Sequence, residues 1–257
     1  MLNFSKPEST PSYLFTVKPL QPPVSSKKFN LSTKPINRMF IVIICFFAVC
    51  HAITVYFDYG GVTKTPLMKN FAKLFNLNAE RGIPNLFSSL ILLVSSALLY
   101  FNYRVIHRRS EQAAKRPWLI LSVIFLFLCF DEALSIHEQL MPVTRNLLGT
   151  TLNGFLHWAW VVPYAFLMVG VTAYFWKFVM RLPRTTRKLF FLSCFIYVGG
   201  ALGLELIEGY TYEKQYYVIN EFLVMAQEVM EMAGIALFIH ALLGYIRLNA
   251  KEITAKL

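Results

Sequence analysis

The sequence predicts an all-α polytopic membrane protein, with six transmembrane helices in one bundle and both termini in the cytoplasm. Hydrophobic residues make up 56% of the 257 positions and charged residues only 15%, whereas soluble domains carry about 25% charged residues. A helix needs about 20 mostly apolar residues to cross the hydrocarbon core. Six segments meet this requirement: 39–57, 84–103, 117–138, 156–180, 189–209 and 222–246.

Positive charge sets the predicted orientation. Short loops rich in Lys and Arg stay in the cytoplasm, and most of the 25 Lys and Arg lie in the N-terminal stretch, in 104–116, in 177–188 and at the C-terminal end. We therefore expect a flexible cytoplasmic tail over 1–37, a transmembrane domain over 38–248 and a cytoplasmic tail over 249–257.

The net charge of +11 is interpreted as this topology signal, with a weak attraction to anionic lipid. It does not indicate nucleic-acid binding. The expected partner is membrane lipid, and nothing in the sequence identifies a protein partner.

The first predicted helix, 39–57, begins too late for a cleaved signal peptide and is expected to remain as an anchor. His51 lies near its outer, non-cytoplasmic end, where a packing role is commoner than a ligand role. In the loop that follows, residues 71–75 are amphipathic enough to lie along the membrane interface. Glu80 either caps the second helix or reaches a functional site.

The second helix, 84–103, carries serines that favour close helix packing. The third, 117–138, is apolar until it reaches Asp131, Glu132, His137 and Glu138. An ionisable side chain at bilayer depth costs about 2.5–3.5 kcal/mol on insertion scales, so such residues face the bundle interior. At about 100° per residue, Asp131, Ser135 and Glu138 are expected on one stripe, with Glu132 and His137 on either side.

Acidic residues also occur in the last two helices, whereas the fourth, 156–180, begins with interfacial tryptophans. In the fifth, the Gly199–Gly203 spacing matches a close-approach pattern, and Glu205 and Glu208 follow as neighbours on one face. In the sixth, Glu228 and Glu231 lie about 10–15 Å below the outer end. We predict that the third, fifth and sixth helices turn their acidic sides toward one another.

Crowded buried carboxylates cannot all remain ionised, so the cluster either shares protons or holds a cation. Carboxylates with one imidazole suit a divalent metal ion, which can generate hydroxide for hydrolysis. The predicted site is that of a hydrolase-type enzyme on a lipid-like substrate. Its predicted metal ligands are His137, Glu138, Glu205 and Glu228, its general base is Asp131 or Glu231, and further candidates are Glu132, Glu208, Glu80 and His51.

Two other functions use the same residues. Intramembrane acids also mark proton or cation paths in transporters, although the inner halves of these helices carry almost no matching acids. A structural polar network that only sets the helix register is the third interpretation. Neither an HExxH zinc motif nor a Gly-x-Ser-x-Gly elbow is present to decide between them.

The chain resembles a group of uncharacterised bacterial six-helix inner-membrane proteins. The resemblance covers about residues 80–246 and rests on Glu80-x-x-Ile83-Pro84, Asp131-Glu132-x4-His137-Glu138, Gly203-Leu204-Glu205 and Glu228-x-x-Glu231-Met232-x-Gly234. It implies a location in a bacterial inner membrane and supplies no activity. Gln227 stands where the resemblance leads us to expect a glutamate.

Overall fold

The computed structural model describes residues 33–61, 63–107, 115–149 and 152–255. Within these ranges the chain is helical and contains no strand. The α-helices are α1 (Lys34–Tyr59), α2 (Pro66–Phe75), α3 (Ile83–His107), α4 (Arg116–Leu134), α5 (Ile136–Gln139), α6 (Met141–Leu148), α7 (Val161–Arg181), α8 (Arg184–Val198), α9 (Glu205–Glu213) and α10 (Tyr217–Ala255). A π-helix, Gly199–Leu204, joins α8 to α9.

Six helical spans are long and apolar enough to cross a membrane, so the predicted all-α polytopic fold is confirmed. They are Lys34–Tyr59, Ile83–Arg104, Arg116–Leu134, Val161–Arg181, Arg184–Glu213 and Tyr217–Asn249. The predicted tail over 1–37 lies mostly outside the described residues, and α1 already begins at Lys34. The tail predicted over 249–257 stays a prediction, while α10 continues to Ala255.

Two predicted boundaries were wrong at the outer side of the bundle. The third span ends at Leu134 and not at 138, because Ser135 adopts the left-handed conformation, with φ 50° and ψ 47°. The fourth begins at Val161 and not at 156. The short helices α5 and α6 occupy part of the interval between them, so the chain forms an outer cap there.

The last helix, α10, is the central element of the bundle. It packs against α1, α3, α8, the π-helix and α9. Toward α1 and α3 it contributes Met232 and Ile239 to one core cluster, and Phe238 and Leu242 belong to a second cluster with Trp118. Side chains of α10 can therefore meet those of most other spans.

The serines of α3 pack as the sequence predicts. Ser96 Oγ donates a hydrogen bond to the carbonyl oxygen of Ser122 on α4 at 2.7 Å, and Ser122 Oγ donates to the carbonyl oxygen of Ser96 at 2.9 Å. This reciprocal pair holds α3 against α4. It thereby fixes the helix that carries Asp131 and Glu132.

The fourth span, α7, is the least buried of the six. Only 11% of its most apolar 18-residue window is buried, against 39% in α1 and α10. Its main packing partners among the described helices are α8 and the π-helix. Space therefore remains between α7 and the rest of the bundle.

The fifth and sixth spans approach each other closely at Gly200 and Gly234. A Cβ atom on Gly200 would lie 2.9 Å from the carbonyl oxygen of Gln227, and one on Gly234 would lie 2.8 Å from the backbone nitrogen of Tyr197. Gly203 has nothing within 4 Å of the same position. The predicted Gly199–Gly203 contact is therefore wrong at Gly203.

Replacing Gly200 or Gly234 with Ala is expected to destabilise the protein by about 1–3 kcal/mol, because the added methyl group meets backbone atoms. Gly203→Ala is the matched control and should be neutral or slightly stabilising, since alanine favours the helix. Thermal unfolding of the detergent-purified variants measures the difference. Equal melting temperatures for Gly200→Ala and Gly203→Ala would contradict the close approach.

Candidate functional site

The break at Ser135 turns the chain back so that His137 lies beside Asp131. Asp131 Oδ1 accepts a hydrogen bond from the His137 backbone N–H at 2.8 Å, and Asp131 Oδ2 lies 3.4 Å from His137 Nδ1. Tyr164 Oη on α7 donates a further hydrogen bond to Asp131 Oδ1 at 2.8 Å. The predicted stripe of Asp131, Ser135 and Glu138 is therefore absent, because it required a continuous helix.

Aromatic side chains at the start of α7 hold the imidazole from the other side. The ring centroid of His137 lies 4.6 Å from that of Trp160 and 6.4 Å from that of Tyr164. Because Nδ1 faces Asp131, Nε2 is the ring nitrogen that points away from this carboxylate. The arrangement fixes the histidine and leaves one nitrogen for a further partner.

Glu132 is oriented by α3. Asn85 Nδ2 donates to the Glu132 carbonyl oxygen at 2.9 Å and to Glu132 Oε1 at 3.1 Å. Asn85 lies in the first turn of α3, directly after the Pro84 that starts this helix well. The side chain of Glu132 thus has a defined direction beside the Asp131–His137 pair.

Gln227 links the acids of the fifth span to those of the sixth. Gln227 Nε2 donates to Glu231 Oε1 at 3.2 Å, and the side chains of Gln227 and Trp160 also lie close to the carboxyl group of Glu205. The amide supplies donors between two carboxylates, which a glutamate at this position would lack. The presence of Gln227 where the resemblance leads us to expect a glutamate therefore has a structural consequence.

Glu208 is a buried acid with an unpartnered oxygen. Its side chain is buried, with 5% of the residue exposed, and within the described part of the chain Oε1 has no hydrogen-bond partner. The carboxyl groups of Glu205, Glu231 and Glu221 lie in its electrostatic surroundings. A buried acceptor without a donor costs about 1–3 kcal/mol, so this position favours an additional donor.

A cavity of about 280 Å³ lies between α4, α7, α8 and α10. Its outer end is polar and is lined by Asp131, Glu132, His137, Tyr164, Tyr197, Gln227, Glu228 and Glu231. Its inner part is apolar and includes Leu121, Phe125, Phe175, Trp176, Phe190 and Phe238. From Tyr164 to Val179, which both line it, α7 rises by about 22 Å at about 1.5 Å per residue, so the cavity is long and narrow.

Five of the predicted site residues lie outside the cavity lining: Glu80, Glu138, Glu205, Glu208 and His51. Glu138 is exposed, and its carboxyl group lies beside that of Glu80; Glu80 therefore reaches the outer edge of the site. His51 is fully buried elsewhere. Its Nε2 donates to the Glu221 carbonyl oxygen at 3.0 Å, and its Nδ1 accepts from the Leu77 N–H at 3.1 Å, so it joins α1 to α10 and to the outer loop.

The four predicted metal ligands are divided between two places. His137 and Glu228 line the cavity, Glu205 lies next to Gln227 of its wall, and Glu138 lies outside. In the described ranges no three His, Cys, Asp or Glu side chains converge on a point that fits a metal ion. The arrangement as it stands does not fit a bound divalent ion, so metal binding stays a prediction.

Several residues of the site were not predicted from the sequence. Trp160 was interpreted as part of an interfacial belt, and Asn85, Tyr164 and Gln227 were not assigned to the site. Trp160 and Tyr164 lie one helical turn apart, a spacing that places them on one face of α7. The direction of that face depends on how α7 packs, which no local pattern reveals.

Three groups at the outer edge, outside the spans, have shifted pKa values. Burial lowers the pKa of His137, but the hydrogen bond and charge of Asp131, with Glu132 and Glu138, outweigh it and raise the pKa. Burial, together with Glu80, raises the pKa of Glu138 to about 7. The hydrogen bond with Glu138 lowers the pKa of Glu80, so the Glu80–Glu138 pair shares one proton.

The stability of this outer edge should fall as pH rises from about 4.5 to about 7, because folded Glu138 keeps a proton that the unfolded chain has lost. His137 acts in the same direction, since its raised pKa gives stability that is lost as pH rises through that value. Glu138→Gln keeps a donor toward Glu80 without titrating and should reduce the fall. Melting temperatures measured across this pH range test the prediction, with Asp58→Asn as the control. If the melting temperature of Glu138→Gln falls with pH as much as that of the wild type, the prediction is contradicted.

Comparison with known proteins identifies a family but no activity. No curated protein and no solved structure matches the chain. A family model described as "Domain of unknown function (DUF8692)" matches residues 39–245, a range that includes every residue lining the cavity. The resemblance to an uncharacterised family is thereby confirmed, and the chain belongs to the DUF8692 family.

Proposed function

We propose that this membrane protein binds an amphipathic, lipid-like molecule in the cavity and hydrolyses it with the Asp131–His137 pair. One observation carries the proposal. The acidic and histidine side chains lie at one end of a single cavity, and the long inner part of that cavity, the apolar trough, is lined by apolar side chains. Ligand sites are typically apolar with a few placed polar groups, and in helical bundles they lie between helices. An amphipathic molecule fits this cavity, because its polar head matches the polar end and its apolar chain matches the apolar inner part.

The loose packing of α7 supports entry from the bilayer. This helix forms one side of the cavity from Tyr164 to Val179 and is the least buried span. A lipid-like molecule would pass between α7 and its neighbours without leaving the apolar phase. The bacterial inner membrane implied by the resemblance remains the proposed location.

The chemistry we propose is general acid–base catalysis of hydrolysis. Asp131 orients the imidazole of His137 through Nδ1, in the way that an additional residue orients the general base in many active sites. The other ring nitrogen, Nε2, takes a proton from water. The water oxygen bonds to the substrate carbonyl carbon, the bond to the leaving group breaks, and the leaving atom receives the proton. Asp131 is thus a positioning residue here, and His137 takes the role of base that the sequence assigned to Asp131 or Glu231.

The predicted alternative of proton- or cation-coupled transport lacks a supporting observation. Apart from Glu252 near the C-terminal end of α10, every Asp and Glu in the described ranges lies in an outer loop or the outer half of a span. The cavity continues inward between apolar side chains. Such a lining suits an acyl chain better than it suits an ion.

His137→Ala and Asp131→Asn should each lower hydrolysis of a long-chain p-nitrophenyl ester by about 10²-fold or more, since positioned acid–base groups contribute about 10²–10⁴-fold. Asp58→Asn, which removes a carboxylate at the outer end of α1, is the matched control and should keep full activity. Protein in lipid nanodiscs and release of p-nitrophenol provide the assay. If both site variants hydrolyse the ester as fast as Asp58→Asn does, the proposal fails.

The predicted divalent ion is tested separately by elemental analysis of purified protein, of His137→Ala and of Glu228→Ala. Binding would require Glu205, Glu228 and His137 to move closer together than they lie here. Stoichiometric metal that is lost in both variants would establish the ion at this site. Metal below stoichiometric levels in active protein would rule it out and leave the acid–base pair.

A further inference from the structure

We infer that the polar head of the bound molecule is a protonated amine without an attached phosphate or carboxylate. This inference rests on the proposed function, because it names the class of ligand for the same cavity. The charges at the polar end and the direction of the hydrogen-bond donors lead to it.

The polar end of the cavity is acidic throughout. Asp131, Glu132, Glu228 and Glu231 line it, and no Lys or Arg belongs to the lining. Arg145, on the outer side, is directed elsewhere, because its Nη2 donates to the carbonyl oxygen of His157 at 2.6 Å. An anionic head group would therefore meet four carboxylates and, apart from the imidazole of His137, no lining group that can carry a positive charge.

The neutral donors around the cavity already serve these carboxylates. Tyr164 Oη and the His137 N–H donate to Asp131, Asn85 Nδ2 donates to Glu132, and Gln227 Nε2 donates to Glu231. A phosphate or carboxylate head group needs donors, and these are committed to protein oxygens. The site instead offers acceptors.

The carboxylates of the polar end repel one another. Four of them line the cavity, and Glu208, which lies outside this lining, is a further buried carboxylate with an oxygen that has no donor within the described residues. An ammonium group supplies three donors and one positive charge. It would satisfy carboxylate oxygens and offset part of the like-charge repulsion.

Aromatic rings complete the polar end. Tyr164 and Trp160 line it together with Tyr197, and a cation near an aromatic face gains about 0.5–2 kcal/mol. Such rings are compatible with an ammonium group. The hydroxyl of Tyr164 is already donated to Asp131.

Four probes with the same alkyl chain separate the head groups: dodecylamine, dodecanol, dodecanoate and dodecylphosphocholine. Thermal unfolding in phosphatidylcholine nanodiscs reports binding, because a ligand of the folded state raises the melting temperature. We expect dodecylamine to reach half-maximal stabilisation at about tenfold lower concentration than dodecanol, as hydrogen bonds to charged groups contribute about 1.5–3 kcal/mol. Dodecanoate and dodecylphosphocholine should be weaker than dodecanol.

Two variants assign the effect to the cavity. Glu228→Gln should reduce the preference for the amine about tenfold and leave dodecanol binding unchanged, whereas Asp58→Asn should behave as the wild type. Thr172→Trp, at an exposed lining position of α7, should weaken the binding of all four probes by filling the apolar trough. Size-exclusion profiles of each variant report whether it is folded.

The outcomes separate this inference from the proposed function. An amine preference that persists in both Glu228→Gln and Glu231→Gln, or tighter binding of dodecanol or dodecanoate, overturns the ammonium head group and leaves the lipid-like ligand in place. Failure of all four probes to bind, or binding that Thr172→Trp does not weaken, overturns the proposed function itself.

Discussion

The carboxylate of Asp131 joins three parts of the chain at the outer end of the bundle, and the site depends on this junction. It lies in the last turn of α4, accepts the backbone N–H of His137 beyond the helix end, and accepts the hydroxyl of Tyr164 on α7. Without it, neither the turn at Ser135 nor the position of α7 would have this support. The imidazole of His137 is oriented by the same group, so fold and chemistry meet at one side chain.

A second constraint comes from the close contact between the fifth and sixth spans. Gly200 and Gly234 allow the two backbones to approach, and the π-helix over Gly199–Leu204 shifts the face on which the following residues lie. Such π-helical turns are often found at functional sites. Here the shift brings Glu205 within reach of Gln227 and Trp160, so a local irregularity places an acid where a regular helix would not.

The cavity combines two environments that normally exclude each other in a membrane. Carboxylates at its outer end are costly to bury, and the donors of Asn85, Tyr164 and Gln227 offset part of that cost. Farther in, the lining is apolar. The weak packing of α7 lets the apolar trough exist beside the hydrocarbon phase, and this juxtaposition favours an amphipathic ligand over an ion or a soluble metabolite.

The sequence by itself determined the six spans and the outer-half depth of the acids on the third, fifth and sixth helices, because apolar length and charge position are local properties. It did not determine that Ser135 leaves the helix, since the cost of a left-handed residue is met by hydrogen bonds from distant groups. For the same reason the stripe through Asp131 and Glu138 failed: helical periodicity assumes a continuous helix. Only the tertiary structure decided that His137 meets Asp131, that Tyr164 faces them and that His51 supports α10 instead, because each contact depends on how separate helices pack.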